Sequence, residues 1–151
     1  MSRIVLIGRG PIPGPGVTQM GFSSLRTAAF ASALTRPPIE LRIVLLIPGC
    51  TPTVPHEWSG IATVDEEGPG WLDRVRELAE GADGIVSAGP YNPGRAAIAA
   101  SGSTPTWIDI PGDPMSELAA LSRVHAEPLS HESIAAATAA CSAVLARADA
   151  I

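Results

Sequence analysis

The chain reads as an α/β domain, a three-layer, doubly wound, Rossmann-like parallel sheet. Three observations predict it. Short apolar, β-branched runs alternate with longer segments of helical periodicity. Repeated strand-helix-strand order implies parallel pairing through right-handed crossovers. The first runs, Ile4-Val5-Leu6-Ile7 and Ile43-Val44-Leu45-Leu46-Ile47, are apolar throughout rather than alternating, as strands covered on both faces must be. The strand order expected for such a sheet is 3-2-1-4-5-6.

The elements follow in order. Arg3 to Gly8 is the first strand. Phe22 to Leu34 is a helix with Phe22, Leu25, Ala29 and Ala33 on its apolar face, ended by Pro37-Pro38. Arg42 to Pro48 is the second strand and Ile61 to Asp65 a shorter third. Trp71 to Glu80 is a helix with Leu72, Val75, Leu78 and Ala79 at core spacing and Gly81 as its C′ residue. Asp83 to Ala88 is the fourth strand. Pro93 to Ser101 is an Ala-rich helix with Asn92 as N-cap and Pro93 at N1. Thr106 to Ile110 is the fifth strand, and Asp113-Pro114 opens a further helix by the same cap logic. Ser130 caps the last helix, with Leu129 and Ile134 as its hydrophobic staple. Ala148 to Ile151 opens a sixth strand.

Composition narrows the function classes. At 151 residues the chain fits one domain, and 46% hydrophobic with 17% charged residues is a globular balance. Aromatic residues make up 4%, so the core is mainly Ala, Val, Ile and Leu. All ten basic residues are Arg. Without Lys there is neither a P-loop lysine nor a Schiff-base lysine. A net charge of −5 argues against a nucleic-acid backbone as partner. Cys50 and Cys141 have no metal-ligand spacing and read as free thiols in a reducing compartment. No apolar run is long enough for a secretory signal or a transmembrane segment. The expected location is cytoplasmic, either free or peripheral to the inner membrane face.

In such sheets ligands bind beyond the carboxyl ends of the strands, so three loops hold the candidate residues. The loop after the first strand runs from Gly8 to Gly21 and offers Gly14, Gly16, Gln19 and Gly21 as substrate-binding positions. It fails the dinucleotide fingerprint: Pro13 stands where a small residue is needed and Gly14 comes one place late. Pro11, Pro13 and Pro15 lack N–H groups, and no acid follows the second strand to hold a ribose. A nicotinamide cofactor is disfavoured, and no cofactor is expected. The length of the loop suits a larger polar ligand, and a rigid connection without a ligand is the other reading.

The loop after the fourth strand offers Gly89, Tyr91, Asn92 and Arg95 at a helix N-terminus, where an anionic or hydroxyl-rich ligand would be favoured. Arg95 taken alone also fits a solvated surface residue. The loop after the fifth strand brings Asp109 and Asp113, either of which could take a proton from a hydroxyl nucleophile. Asp113 fits an N-cap better than a base. The run Asp65-Glu66-Glu67 reads as solvated. Trp58 and Trp71 read as packing residues, Trp58 near the binding edge. No spacing of His, Cys or acids suggests a metal site.

Three stretches carry a resemblance over essentially the whole chain. Gly14-Pro15-Gly16-Val17-Thr18-Gln19-Met20-Gly21-Phe22-Ser23-Ser24-Leu25-Arg26, Ser87-Ala88-Gly89-Pro90-Tyr91-Asn92-Pro93-Gly94 and Asp109-Ile110-Pro111-Gly112-Asp113-Pro114 resemble the N-terminal, acceptor-side domain of bacterial GT-B glycosyltransferases. The closing Arg147-Ala148-Asp149-Ala150-Ile151 is similar to the strand that leads to the second domain of that family. The resemblance implies a Gly-rich first loop facing an interdomain cleft, a nucleotide-sugar donor, and a sugar or lipid-linked acceptor. It implies that the donor nucleotide is held mainly by a C-terminal domain not in this chain, so the isolated 151 residues are expected to transfer no sugar. Histidines that many retaining relatives carry are replaced here by Ser87-Ala88-Gly89 and Pro111-Gly112-Asp113. No histidine role therefore carries over, and the stereochemical course stays open. The rival expectation is a non-catalytic Rossmann-like binding module or a recruiting subunit.

Overall fold

The computed structural model describes residues 1–14, 16–17, 20–53, 58–110, 112 and 130–150. Their elements are β1 (Ser2–Arg9), α1 (Phe22–Leu34), β2 (Ile39–Leu46), β3 (Gly60–Val64), α2 (Trp71–Leu78), β4 (Gly84–Ser87), α3 (Asn92–Ser101), β5 (Thr106–Ile108) and α4 (His131–Leu145). All strand pairs are parallel and the sheet order is β3-β2-β1-β4-β5. The α/β, Rossmann-like arrangement expected from the sequence is therefore present through five strands. Among the described residues the expected sixth strand contributes one parallel bridge, Trp107 with Ala150. That segment lies beside β5, where a sixth strand belongs. There the Asp149 carboxylate accepts from Thr106 N (2.8 Å), occupying a β5 donor with a side chain instead of a ladder bond.

Alternation along β1 divides the core. Val5 and Ile7 face a layer with Val44, Leu46, Val75, Leu78, Ala96 and Ile98, which belongs to α2 and α3 and extends to Val144 of α4. Leu6 faces the other side, with Ile43, Leu45, Val86 and Ala31 of α1. Helices on both faces explain why β1 and β2 are apolar without alternation.

α1 corrects the sequence reading of its faces. Phe22 is 65% and Leu25 49% exposed, and Ala29 and Ala33 also face solvent. The buried residues are Ser24, Thr27 and Ala31. The reason is the distance at which the helix lies on the sheet. A Cβ at Gly8 of β1 would sit 2.5 Å from Thr27 Cγ2 and nearer still to its Oγ1. Only a small face fits that close, and Thr27 Oγ1 is satisfied internally by Ser23 O (2.8 Å).

The other helices keep closer to expectation. α2 buries Val75, Leu78 and Ala79 but ends at Leu78, with Ala79 as C-cap and Gly81 in the left-handed region (φ 76°) two residues on. α3 begins at Asn92 rather than after it. Tyr91 holds the cap position and no side chain caps the helix, while Pro93 sits in the first turn as expected. Asn92 is freed for another contact, described below. Ser130 does cap α4, its Oγ accepting from Ser133 N (3.1 Å). Ser130→Ala is expected to cost about 1 kcal/mol, read as a melting temperature lower by roughly 2–4 °C. The staple residue Leu129 and the helix expected from Asp113-Pro114 lie outside the described residues.

Trp58 stands just before β3, at the amino edge of the sheet, not near the carboxyl edge as the sequence suggested. Its ring packs under two guanidinium groups, Arg42 at 4.9 Å and Arg3 at 5.7 Å. Arg42 also donates to Leu78 O (2.9 Å), and burial lowers its pKa from the ordinary value. Both cysteines are free thiols. Cys50 is half-buried, while Cys141 is buried and its thiol pKa is pushed up by desolvation. No helix among the described residues is long and apolar enough to cross a membrane.

Candidate functional site

Because β1 pairs directly with β4, the loops that follow them leave the sheet side by side at its carboxyl edge. Glu66 ties this edge together. It comes just after β3, two strands away from β1, yet its side chain reaches across to both loops. Its Oε1 lies 2.7 Å from Arg9 Nη2 at the end of β1, and its Oε2 accepts from Asn92 Nδ2 (2.6 Å) at the start of α3. The Glu66 side chain is 2% exposed, against 43% for Arg9. The Arg9 contact is an ion pair out of line for a hydrogen bond, so the buried Oε1 has a neighbouring charge but no aligned donor. The sequence reading of this acidic run as solvated is therefore corrected for Glu66.

The local chain explains why Glu66 turns inward. Asp65 Oδ1 accepts from Gly49 N (2.8 Å) and from Glu67 N (3.1 Å). Asp65 thus pins the turn to the loop after β2 and leaves its neighbour facing the sheet edge. On β1, Arg9 shares the side of Val5 and Ile7 by alternation, which puts it on the α2–α3 face. A carboxylate placed directly after a parallel strand is itself a signal of the carboxyl edge, and it was available in the sequence.

The predicted residues distribute unevenly. Gly14 and Gly16 are exposed on the first loop, and Gly16 has φ 82° with open space beside it. Gly21 is exposed and serves as the backbone cap of α1, its carbonyl accepting from Ser24 N and Leu25 N (3.0 and 3.2 Å). Gln19 and Asp113 lie outside the described residues. Gly89, at φ 130°, turns the chain over the end of β4 where a side chain would be strained, and its carbonyl accepts from the buried Ser87 Oγ (2.6 Å). Tyr91 is 36% exposed at the cap of α3. Arg95 lies over the Trp71 ring (5.8 Å) and donates from Nη1 to Asn92 Oδ1 (3.4 Å).

Asp109 does stand at the carboxyl edge beyond β5, buried, but its two oxygens are engaged. Oδ1 accepts from Arg26 Nη2 (2.6 Å), and Oδ2 accepts from Arg26 Nε. This bidentate pair joins α1 to the end of β5, and Arg26 also lies over the Phe30 ring at 5.8 Å. Both carboxylate oxygens are thus committed to a contact between two elements of the fold. A separate cleft of about 460 Å³ lies beside the end of β3 and the start of α2, lined by Pro52, Asp65, Trp71 and Arg74. Among the described residues no group of three or more His, Cys, Asp or Glu could hold a metal ion. The chain matches no family model, no curated protein and no solved structure.

Proposed function

We propose that this chain is the acceptor-side domain of a glycosyltransferase, contributing one wall of a cleft in which a sugar passes from a nucleotide-sugar to an acceptor. The observation that supports the reading most is the crevice at the carboxyl edge. Two Gly-containing loops start there from adjacent central strands, and three polar side chains, Arg9, Glu66 and Asn92, contact one another. The open backbone at Gly14 and Gly16 suits a hydroxyl-rich acceptor, which backbone groups recognise without bulky neighbours. Of the two carboxylates named from the sequence, Asp109 holds Arg26 at the edge, which leaves Asp113, better suited to an N-cap, as the other one to test as acceptor of the hydroxyl proton. The donor nucleotide would be held by a second α/β domain, and a peripheral place on the inner membrane face would suit a lipid-linked acceptor.

The test is turnover. A polypeptide in which a donor-binding domain follows Ile151 is expected to consume nucleotide-sugar when supplied with an acceptor, while the 151 residues alone consume none. Turnover by the isolated chain, or a longer polypeptide that binds acceptors yet never transfers, would remove this reading. The second outcome would leave a non-catalytic binding module.

A further inference from the structure

We infer that the outer face of α4 is a self-association surface, on which α4 of a second copy of this chain packs antiparallel about a two-fold axis. This property stands apart from the glycosyltransferase reading and does not rest on it. The face consists of Glu132, Ala136, Ala139, Ala140, Ala143 and Arg147. All six are exposed, and they recur at helical spacing with Ala139 and Ala140 together at the middle. The helical path extends to Arg147, because Ala146 keeps right-handed backbone angles and Arg147 N donates to Val144 O (3.1 Å). No residue from Ser133 to Ala146 is charged. A solvated helix of the same chain is built differently: α2 carries Asp73, Arg74, Arg76 and Glu77, and pairs them within itself.

The order of these residues selects a second copy as the occupant. In a two-fold contact each residue meets one fixed counterpart on the partner. With the axis between Ala139 and Ala140, Ala136 faces Ala143 of the second copy, and Glu132 faces Arg147 of the second copy at both ends of the seam. Both charges are available: among the described residues neither side chain has an ion pair or a hydrogen bond. Alanine at the crossing lets two helix axes approach to about 8 Å, the close end of helix packing. Antiparallel helices also set opposite dipole ends side by side. Beside the seam lies an open, mainly apolar groove of about 290 Å³, lined by Leu72, Ile98, Ala143 and Val144 together with Arg95 and Arg147. It gives the incoming helix a recess against α3, and its two guanidinium groups suit the Glu132 end of that helix.

The seam is one helix long, about 22 Å, and buries less than the roughly 800 Å² per partner of a standard stable complex. The expected dimer is therefore weak, with a dissociation constant on the order of 100 μM. The experiment is sedimentation equilibrium of the 151-residue chain, with ¹H–¹⁵N shifts followed over the same dilution. The apparent mass should climb from 15.5 kDa towards twice that value, with dilution shifts at Ala136, Ala139, Ala140 and Ala143. Glu132→Arg and Arg147→Glu should each weaken association by at least about tenfold, because like charges then meet at both ends. Mixing these two variants should restore it, since one copy brings Arg to both ends and the other brings Glu. The chain carrying both changes should associate like the parent. Ala139→Glu sets two carboxylates beside the axis and should abolish association. Arg36→Glu changes the net charge as much elsewhere and should leave association unchanged.

A far-UV spectrum and a melt confirm that each variant is folded. Glu132→Gln and Arg147→Gln, each expected to weaken association several-fold, take the place of the reversals if those do not fold. Charges that serve only the dipole of their own helix would change the melt and leave the mass-against-concentration curve unmoved. That result overturns the inference. A chain that stays monomeric up to about 1 mM, ten times the expected constant, also overturns it and leaves the face to a different protein. Dilution shifts confined to another surface, or single variants that fail to complement each other on mixing, overturn it as well.

Discussion

Replacing Gly8 by Ala is expected to lower the melting temperature of the chain by roughly 9 °C, about 3 kcal/mol of overpacking. The new Cβ would stand 2.5 Å from Thr27 Cγ2 and 2.9 Å from Thr27 Cβ. Thr27 is fully buried and β-branched, so it has no free rotamer to retreat into. Its Oγ1 is also tied to Ser23 O (2.8 Å). Relief therefore has to come from lifting α1 off the sheet, which separates Ala31 from Leu6 and Leu45. Thr27→Ala removes the two nearest atoms and should make the Gly8→Ala change milder by about 1–2 kcal/mol, read as a double-mutant cycle in thermal or urea unfolding. A Gly8→Ala variant that melts within a degree or two of the parent would show that α1 can lift off the sheet at little cost.

The same contact shows why the fold was legible in the sequence and the face of α1 was not. Strands announce themselves by content: both faces of β1 and β2 are covered, so Val5, Leu6, Ile7 and Val44 are apolar in succession. Connection length and alternation with helices then fix a parallel order. The orientation of α1 depends instead on how close it can approach, and that is set by a glycine on another element. Phe22 and Leu25 look like core residues by periodicity, but the surface facing Gly8 accepts only Ser24, Thr27 and Ala31. Glu66 was missed for a related reason. In one dimension it is the middle of an acidic run, and its partners Arg9 and Asn92 are 57 residues upstream and 26 downstream, brought together by the sheet. Asx-Pro is a helix-start signal and marks Asn92 as a cap, yet its amide is used across the crevice. The carboxyl edge itself could be located from the sequence because strand order determines it. Which side chains meet there could not, since that depends on turns such as the one Asp65 pins with Gly49 N.

The largest electrostatic effect is expected at the Arg26–Asp109 pair, and it should be asymmetric. The Asp109 side chain is 12% exposed and Arg26 30%. Arg26→Met strands a nearly buried carboxylate that water reaches poorly, at an expected cost of about 3 kcal/mol. Asp109→Ala leaves a guanidinium that can turn towards water and still lie over Phe30, so about 2 kcal/mol is expected. The double variant should lose less than the sum, because each single change has already broken the bidentate contact. Equal costs that simply add would show that the pair is not coupled. The same residues decide the chemistry of Asp109. A carboxylate that acts as general base in the transferring polypeptide would lose roughly a hundredfold in rate as Asp109→Asn, with little change in melting. A carboxylate that anchors α1 to the end of β5 would instead lose stability, with a rate change below about tenfold that Arg26→Met reproduces. The second pattern is expected. Both oxygens of Asp109 face one guanidinium, and that bidentate contact is what holds α1 against the end of β5.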